Sequence, residues 1–254
     1  MMLLNEKVAI VTGASSGIGR AAARLMAQQG ARIVVTARRE AELAALVSEI
    51  RERGGDAVAL AGDVRDERHA EALVALAVRT FGGLDIAFNN AGTLGAMGPT
   101  PSIALHDWTE TLAANLTSAF IGAKHQIPAM LNRQGGSLIF TSTFVGYTAA
   151  FPGMAAYAAS KSGLIGLTQA LATEFGPSGI RVNAILPGGT DTPMGREVAN
   201  TPEAEAHVKA LHALKRMATP EEIAQSVLYL ASDAASFTTG TAMLVDGGVS
   251  ISRA

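Results

Sequence analysis

The sequence predicts an α/β fold, a doubly wound domain whose mostly parallel sheet of seven strands carries helices on both faces. Two observations of pattern predict it. Seven short apolar runs recur along the chain, and the stretches between them carry apolar residues at helical spacing. A third observation is chemical: the glycine-rich turn "TGASSGIG" (12–19) lies directly between the first run and the first helical stretch.

The strands are read in order as "VAIVTGA" (8–14), "RIVVTAR" (32–38), "AVALAGDV" (57–64), "LDIAFNNAG" (84–92), "GSLIFTST" (136–143), "RVNAILPGG" (181–189) and "TAMLVDGG" (241–248). Most are nearly continuous in apolar residues, as strands covered on both faces are. Helices over 40–53 and 67–81 follow from their apolar spacing, and strand–helix–strand succession implies right-handed crossovers. Two segments break the rhythm: a Gly/Pro-rich loop over 93–103, and a long excursion over 188–219. Both follow strands and should lie at the carboxyl edge of the sheet, where such folds bind ligands.

The chain of 254 residues suits one domain, 1–254, with a cofactor half to about residue 150 and a catalytic and lid half from about 151. At 48% hydrophobic and 17% charged it has ample material for a large core. A net charge of −2, with both signs mixed, offers no footprint for nucleic acid or a membrane surface, and neither partner is expected. No cysteine is present, so thiolate metal sites and thiol nucleophiles are excluded. The five histidines show no ligand spacing, and no metal is expected. No apolar run is long enough for a membrane span or a secretory signal, so a cytoplasmic protein is the expectation.

In the glycine turn, Gly13, Gly17 and Gly19 permit close backbone approach, and the following helix aims its positive end at the loop. A pyrophosphate is the natural occupant. Far downstream, "YAASK" places Tyr157 and Lys161 at i and i+4, so a phenol and an ammonium share one helix face. An ammonium near a phenol favours the phenolate, which would make tyrosine an acid or base near neutral pH.

The spacing Gly-x-x-x-Gly-x-Gly together with Tyr157-x-x-x-Lys161 resembles the classical short-chain dehydrogenase/reductase family, a Rossmann-type fold. The likeness extends through "NNAG" (89–92), Asn115 in "LAANLTSAF", "PGGTDTP" (187–193) and "LVDGG" (244–248). It implies an NAD(P)-dependent oxidoreductase that interconverts a ketone or aldehyde and its alcohol. Carried over by resemblance, the cofactor is held by Gly13, Ser15, Ser16, Gly17, Ile18 and Gly19 at its phosphates. Asp63 and Val64 take the adenine, and Asn89, Ala91 and Gly92 line the cleft. Pro187, Gly188, Thr190 and Thr192 close over the nicotinamide. Tyr157 is the acid/base, Lys161 assists it and bonds the nicotinamide ribose, and Asn115 holds a water behind the lysine.

NADP is favoured over NAD, which stays an alternative. Where NAD-preferring relatives carry Asp at the end of the second strand this chain has Ala37, followed by Arg38 and Arg39. Arg38 is read as the discriminator because a guanidinium suits a phosphate, whereas Arg39 is read as a solvated helix start. The family's carbonyl-orienting serine stands thirteen residues before the tyrosine, which here is Phe144. Aligning on Gly146 instead brings Thr143 to that place, with Ser142 as the neighbour; successive strand residues face opposite ways, and Thr143 is preferred.

The substrate side is expected to be apolar, with Phe144, Tyr147, Phe151, Met154 and Met97 as candidates. The helix over 154–176 is rich in small residues and in the family packs against its copy, which implies a homodimer or homotetramer. Two rivals share the fold: a dinucleotide-binding sensor or scaffold without turnover, and an epimerase or dehydratase with bound cofactor.

Overall fold

The structure, a computed structural model, describes residues 2–252; Met1, Arg253 and Ala254, at the ends of the predicted 1–254 span, lie outside the described residues. Strands β1 (Val8–Thr12), β2 (Arg32–Ala37), β3 (Asp56–Ala61), β4 (Ile86–Asn89), β5 (Gly136–Thr141), β6 (Ile180–Pro187) and β7 (Ala242–Val245) form one sheet. Its order is β3-β2-β1-β4-β5-β6-β7 and every pairing is parallel, as the sequence predicts. The strand order reverses between β1 and β4, and that switch point opens the crevice in which open α/β sheets take their ligands.

The helices sort onto two faces because each carries one apolar stripe. On one face α1 (Gly17–Gln28), α2 (Glu40–Glu52) and α9 (Pro220–Ala231) bury Met26, Leu43, Leu46, Ile223 and Val227 against β1 and β2. On the other, α3 (Glu67–Phe81), α5 (Ser118–Leu131) and α6 (Ala155–Phe175) bury Leu73, Met130 and Leu164 against β4, β5 and β6. Central strands buried on both faces explain their continuous apolar runs. The edge strand β3 instead alternates in exposure, because one of its sides lacks a neighbour.

Local signals set several helix ends. The Asp66 side chain accepts from Arg68 N–H at the start of α3, and Gly82 closes that helix in the left-handed conformation at φ 86°. Thr219 and Glu222 form a reciprocal capping box at α9, with Pro220 in the first turn. The 188–219 excursion is not an open loop: it folds into α7 (Pro193–Val198) and α8 (Pro202–Leu211). The remaining helix, α4 (Leu105–Leu112), runs into a π-helical turn, Ala113–Thr117, before α5. Among the described residues no helix is long and apolar enough to cross a membrane.

Candidate active site

The carboxyl ends of β1, β4 and β5 are stitched together by polar side chains. Thr12 Oγ1 accepts from the backbone N–H of Asn90 (2.9 Å) and Ala91 (3.0 Å), and Thr141 Oγ1 donates to Asn90 Oδ1 (3.1 Å). Gly13 and Gly17 hold φ of 67° and 54°, a conformation other residues rarely adopt. Space is equally strict at Gly19, where an added Cβ would stand 2.5 Å from the Gly13 carbonyl oxygen. Ser16 at the N-cap of α1 makes no capping bond, which leaves the first-turn amides without a side-chain acceptor. Ile18 packs against the core and aligns that turn.

Arg39 stands exposed at the N-cap of α2, the solvated helix start the sequence suggests, and it makes a contact beyond that reading. Its Nη2 donates to Ser15 Oγ (2.9 Å) and Ser16 Oγ (3.0 Å), so the guanidinium reaches back to the glycine turn. Arg38 is exposed and makes no hydrogen bond among the described residues. Asp63 accepts from Arg65 at both oxygens, including Nη2 at 2.6 Å, and this partner holds its carboxyl below the usual range. Val64, Asn89 and Ala91 line a cleft with Thr12, His69 and Gln126. The Asn89 side chain pairs reciprocally with Gln126 (2.8 and 3.0 Å).

Tyr157 and Lys161 lie on α6 facing the end of β5, and both are buried. Burial pushes the Tyr157 phenol above its ordinary value, and the nearby Thr143 side chain, whose Oγ1 accepts from Val145 N–H (3.3 Å), opposes that rise. Ser142 is turned the other way and donates to the Lys161 carbonyl (2.7 Å). The alternation of facing expected for a strand therefore persists just past the end of β5. Lys161 Nζ does not bond the phenol; it donates to the Thr141 carbonyl (2.7 Å), and burial pushes its ammonium down to about 8.

Asn115 sits in the π-helical turn, which releases its side chain from the helix surface toward the loop after β4. Its Oδ1 accepts from Thr93 N–H (2.8 Å), and its Nδ2 donates to the Thr93 carbonyl and to Ser160 Oγ (both 2.9 Å). Gly92 borders this group: an added Cβ would lie 2.9 Å from Asn115 Oδ1 and 3.0 Å from Lys161 Nζ. Pro187 ends β6, Gly188 N–H donates to Val245 (3.1 Å), and buried Thr190 pairs with Ala218 as an isolated bridge. Thr192 caps α7 by accepting from Gly195 N–H (3.0 Å), and its Cγ2 would stand 2.9 Å from a Cβ at Gly17. The segment after β6 thus reaches over the glycine turn.

An apolar cluster flanks the phenol. Phe144, Val145, Tyr157 and Val249 are buried together, with Leu94, Phe151, Met154 and Leu211 packed on them. Phe144 and Phe151 meet edge to face with centroids 5.9 Å apart. Met97 and Tyr147 stay half exposed outside it. Leu94, Leu211 and Val249 escape a reading of the sequence because they join the cluster from three distant segments. For Arg39 a signal did exist: a guanidinium after β2 and two hydroxyls in the turn after β1, on adjacent parallel strands.

A crevice at the switch point, a glycine turn under a helix N-terminus and a buried tyrosine define an oxidoreductase of the Rossmann class. The comparisons give the family. A family model described as Enoyl-(Acyl carrier protein) reductase matches residues 13–250. Cyclohexanol dehydrogenase of Acinetobacter sp. (strain SE19) is 40% identical over 243 residues, 96% of this chain and 94% of that protein. The A-factor type gamma-butyrolactone 1'-reductase (1S-forming) of Streptomyces virginiae is 42% identical over 98% of this chain and 97% of its own. Levodione reductase superposes with a TM-score of 0.93 at 32% identity, covering 97% of this chain and 98% of that one. A structure from Beutenbergia cavernae carrying NADP at low occupancy has a TM-score of 0.93 at 35% identity, covering 99% of both chains. The chain belongs to the short-chain dehydrogenase/reductase family and is an NAD(P)-dependent oxidoreductase of alcohols and carbonyl compounds.

Proposed function

We propose that this enzyme prefers NADP and interconverts an uncharged, apolar cyclic ketone and its secondary alcohol. The observation that carries the reading is the apolar cluster of Phe144, Val145, Phe151, Leu211 and Val249 around a phenol that faces one hydroxyl, Thr143. Cyclic substrates agree with the names of cyclohexanol dehydrogenase and of the 3beta-hydroxysteroid dehydrogenase 1 of Eggerthella lenta, which is 38% identical over 98% of this chain.

The residues present fit a dinucleotide, because the cradle at Gly13, Gly17 and Gly19 admits no side chain and the α1 amides await an anion. Ser15 and Ser16, now bonded to Arg39, would border the dinucleotide's phosphates. Val64 and Ala91 would flank the adenine, while Asp63 would exchange an Arg65 bond for the adenine amino group. Gly188, Thr190 and Thr192 bear on the nicotinamide end, where the cofactor supplies or accepts the hydride. Arg38 lies free for a 2′-phosphate, and Arg39 stands beside it, already on the phosphate turn.

In reduction Tyr157 gives its proton to the carbonyl oxygen, and its burial keeps the phenol protonated until a carbonyl arrives. Thr143 directs its hydroxyl at the same oxygen and stabilises the charge that gathers there. Lys161 would return a proton to the phenolate, and a water held by Asn115 behind the lysine would replace it. In oxidation the same groups run in reverse.

A panel of cyclohexanone, a bulkier cyclic ketone and an anionic 2-oxo acid, each with NADPH and NADH, tests the reading. Turnover of the ketones and neglect of the acid is expected. NADPH should exceed NADH in kcat/KM, and Arg38→Ala should cut the NADPH value by about tenfold, the worth of a charged hydrogen bond. Turnover of the acid alone removes the apolar substrate; binding of cofactor with no turnover of any compound favours the sensor; an unchanged Arg38→Ala removes the cofactor assignment.

We also read the enzyme as a homodimer or homotetramer, because Leu105, Phe120 and Phe237 are large apolar side chains left exposed on the single chain. Sedimentation of a monomer alone at micromolar concentration would end that reading.

A further inference from the structure

His212 follows α8 directly and takes no part in the chemistry above. It is 2% exposed although Ala213 and Leu214 beside it are exposed. Its Nδ1 lies 2.7 Å from the Val208 carbonyl, and Gly189 N–H reaches Nε2 at 2.9 Å. A carbonyl only accepts and a backbone N–H only donates. Nδ1 therefore carries the proton, Nε2 carries none, and the imidazole is neutral with its tautomer set by its partners.

Glycines make room for the ring on three sides. A Cβ on Gly188 would lie 2.9 Å from Nε2, one on Gly189 2.9 Å from Cε1, and one on Gly247 3.3 Å from Cδ2. The imidazole thus joins the last turn of α8, the exit of β6 and the turn after β7. That exit leads straight into Thr190 and Thr192, and Gly189 also accepts Ala218 N–H (2.9 Å).

We propose that His212 is a positioning residue, a latch whose unprotonated Nε2 holds the Gly188–Thr192 segment in its cofactor-binding place. The inference rests on the reading that this segment bears on the cofactor. A proton at Nε2 would set two donors against each other across the Gly189 contact, break the bond and free the segment from the lid.

The charged neighbours bear on when that happens. Asp246, in the turn after β7, interacts with the ring electrostatically. On α8, Glu205 and Lys209 are paired with each other (2.6 Å). Beyond the β6 exit, Asp191 is held by Arg196 (2.7 Å), and Lys215 Nζ donates to the Ala210 carbonyl (2.8 Å).

The test is calorimetric titration with NADP⁺ from about pH 8 to about pH 5.5, a range that brackets the imidazole, on wild type, His212→Gln and His212→Ala. Wild type should lose affinity about tenfold toward acid, as the bond from Gly189 N–H is lost. Glutamine can accept from Gly189 and donate to Val208 without titrating, so His212→Gln should bind tightly with a flat profile. His212→Ala should bind weakly at every pH. A glutamine variant that follows the wild-type fall, or an alanine variant as tight as wild type near neutrality, overturns the latch. If the alanine variant fails to fold, the glutamine profile decides alone. Hydrogen exchange of amides 187–198 with and without NADP⁺ separates the latch from the reading beneath it. Protection by NADP⁺ upholds the placing of the segment whatever His212 does, and its absence removes the basis of both.

Discussion

Tyr157→Phe is expected to bind NADPH as tightly as wild type and to reduce ketones about a thousandfold more slowly, within the usual range for a lost general acid. The ring is packed among Phe144, Val145 and Val249, and phenylalanine keeps all of that contact. Only the oxygen leaves, and with it the proton for the carbonyl. Burial also favours the neutral phenol, so wild-type reduction starts from a loaded acid. Cofactor affinity by titration and single-turnover rates measure the two halves separately. Turnover near the wild-type rate would mean that another group supplies the proton and that the proposed chemistry is wrong.

The second large effect is a contrast between adjacent residues. Thr143→Val keeps the volume and β-branching of threonine but removes the hydroxyl that faces Tyr157. A loss of about a hundredfold in kcat is expected, comparable to deleting one donor at a developing oxyanion. It also carries a pH signature. The Thr143 hydroxyl lowers the phenol's pKa, so removing it raises that pKa, and the acid limb of kcat/KM for alcohol oxidation, where the phenol must be deprotonated, should move to higher pH. Ser142→Ala instead removes a bond to the Lys161 carbonyl, 2.7 Å long and remote from the phenolic oxygen. It should cost about 1 kcal/mol of stability by thermal melting and little rate. If Ser142→Ala loses the turnover and Thr143→Val keeps it, the two roles are exchanged.

Legibility in the sequence followed the range of the interaction. The apolar runs at 32–38 and 136–143 match β2 and β5 within two residues, because central strands buried on both faces need unbroken apolar composition. The predicted helix over 67–81 coincides with α3, whose Asp66 cap and Gly82 stop are written beside it. The π-helical turn at Asn115 left no such mark, since one extra residue in a turn does not disturb an apolar pattern averaged over a helix. The long excursion was recognisable by length, but its two helices were not, for among the described residues neither buries a side chain of its own.

The chain's linear order was enough to determine a parallel sheet, a glycine-rich turn between the first strand and the first helix, and a phenol and an ammonium on one helix face. These depend on spacing within a turn or a strand, and spacing is what a sequence records. Tertiary structure alone decided where the shared face sends its groups: Lys161 to a strand carbonyl, Thr143 to the phenol, Ser142 away from it. It alone brought Arg39 back to the glycine turn and closed glycines from two segments around His212. Those choices are made by hydrogen-bond partners far apart in the chain, whose positions exist only once the sheet has aligned them.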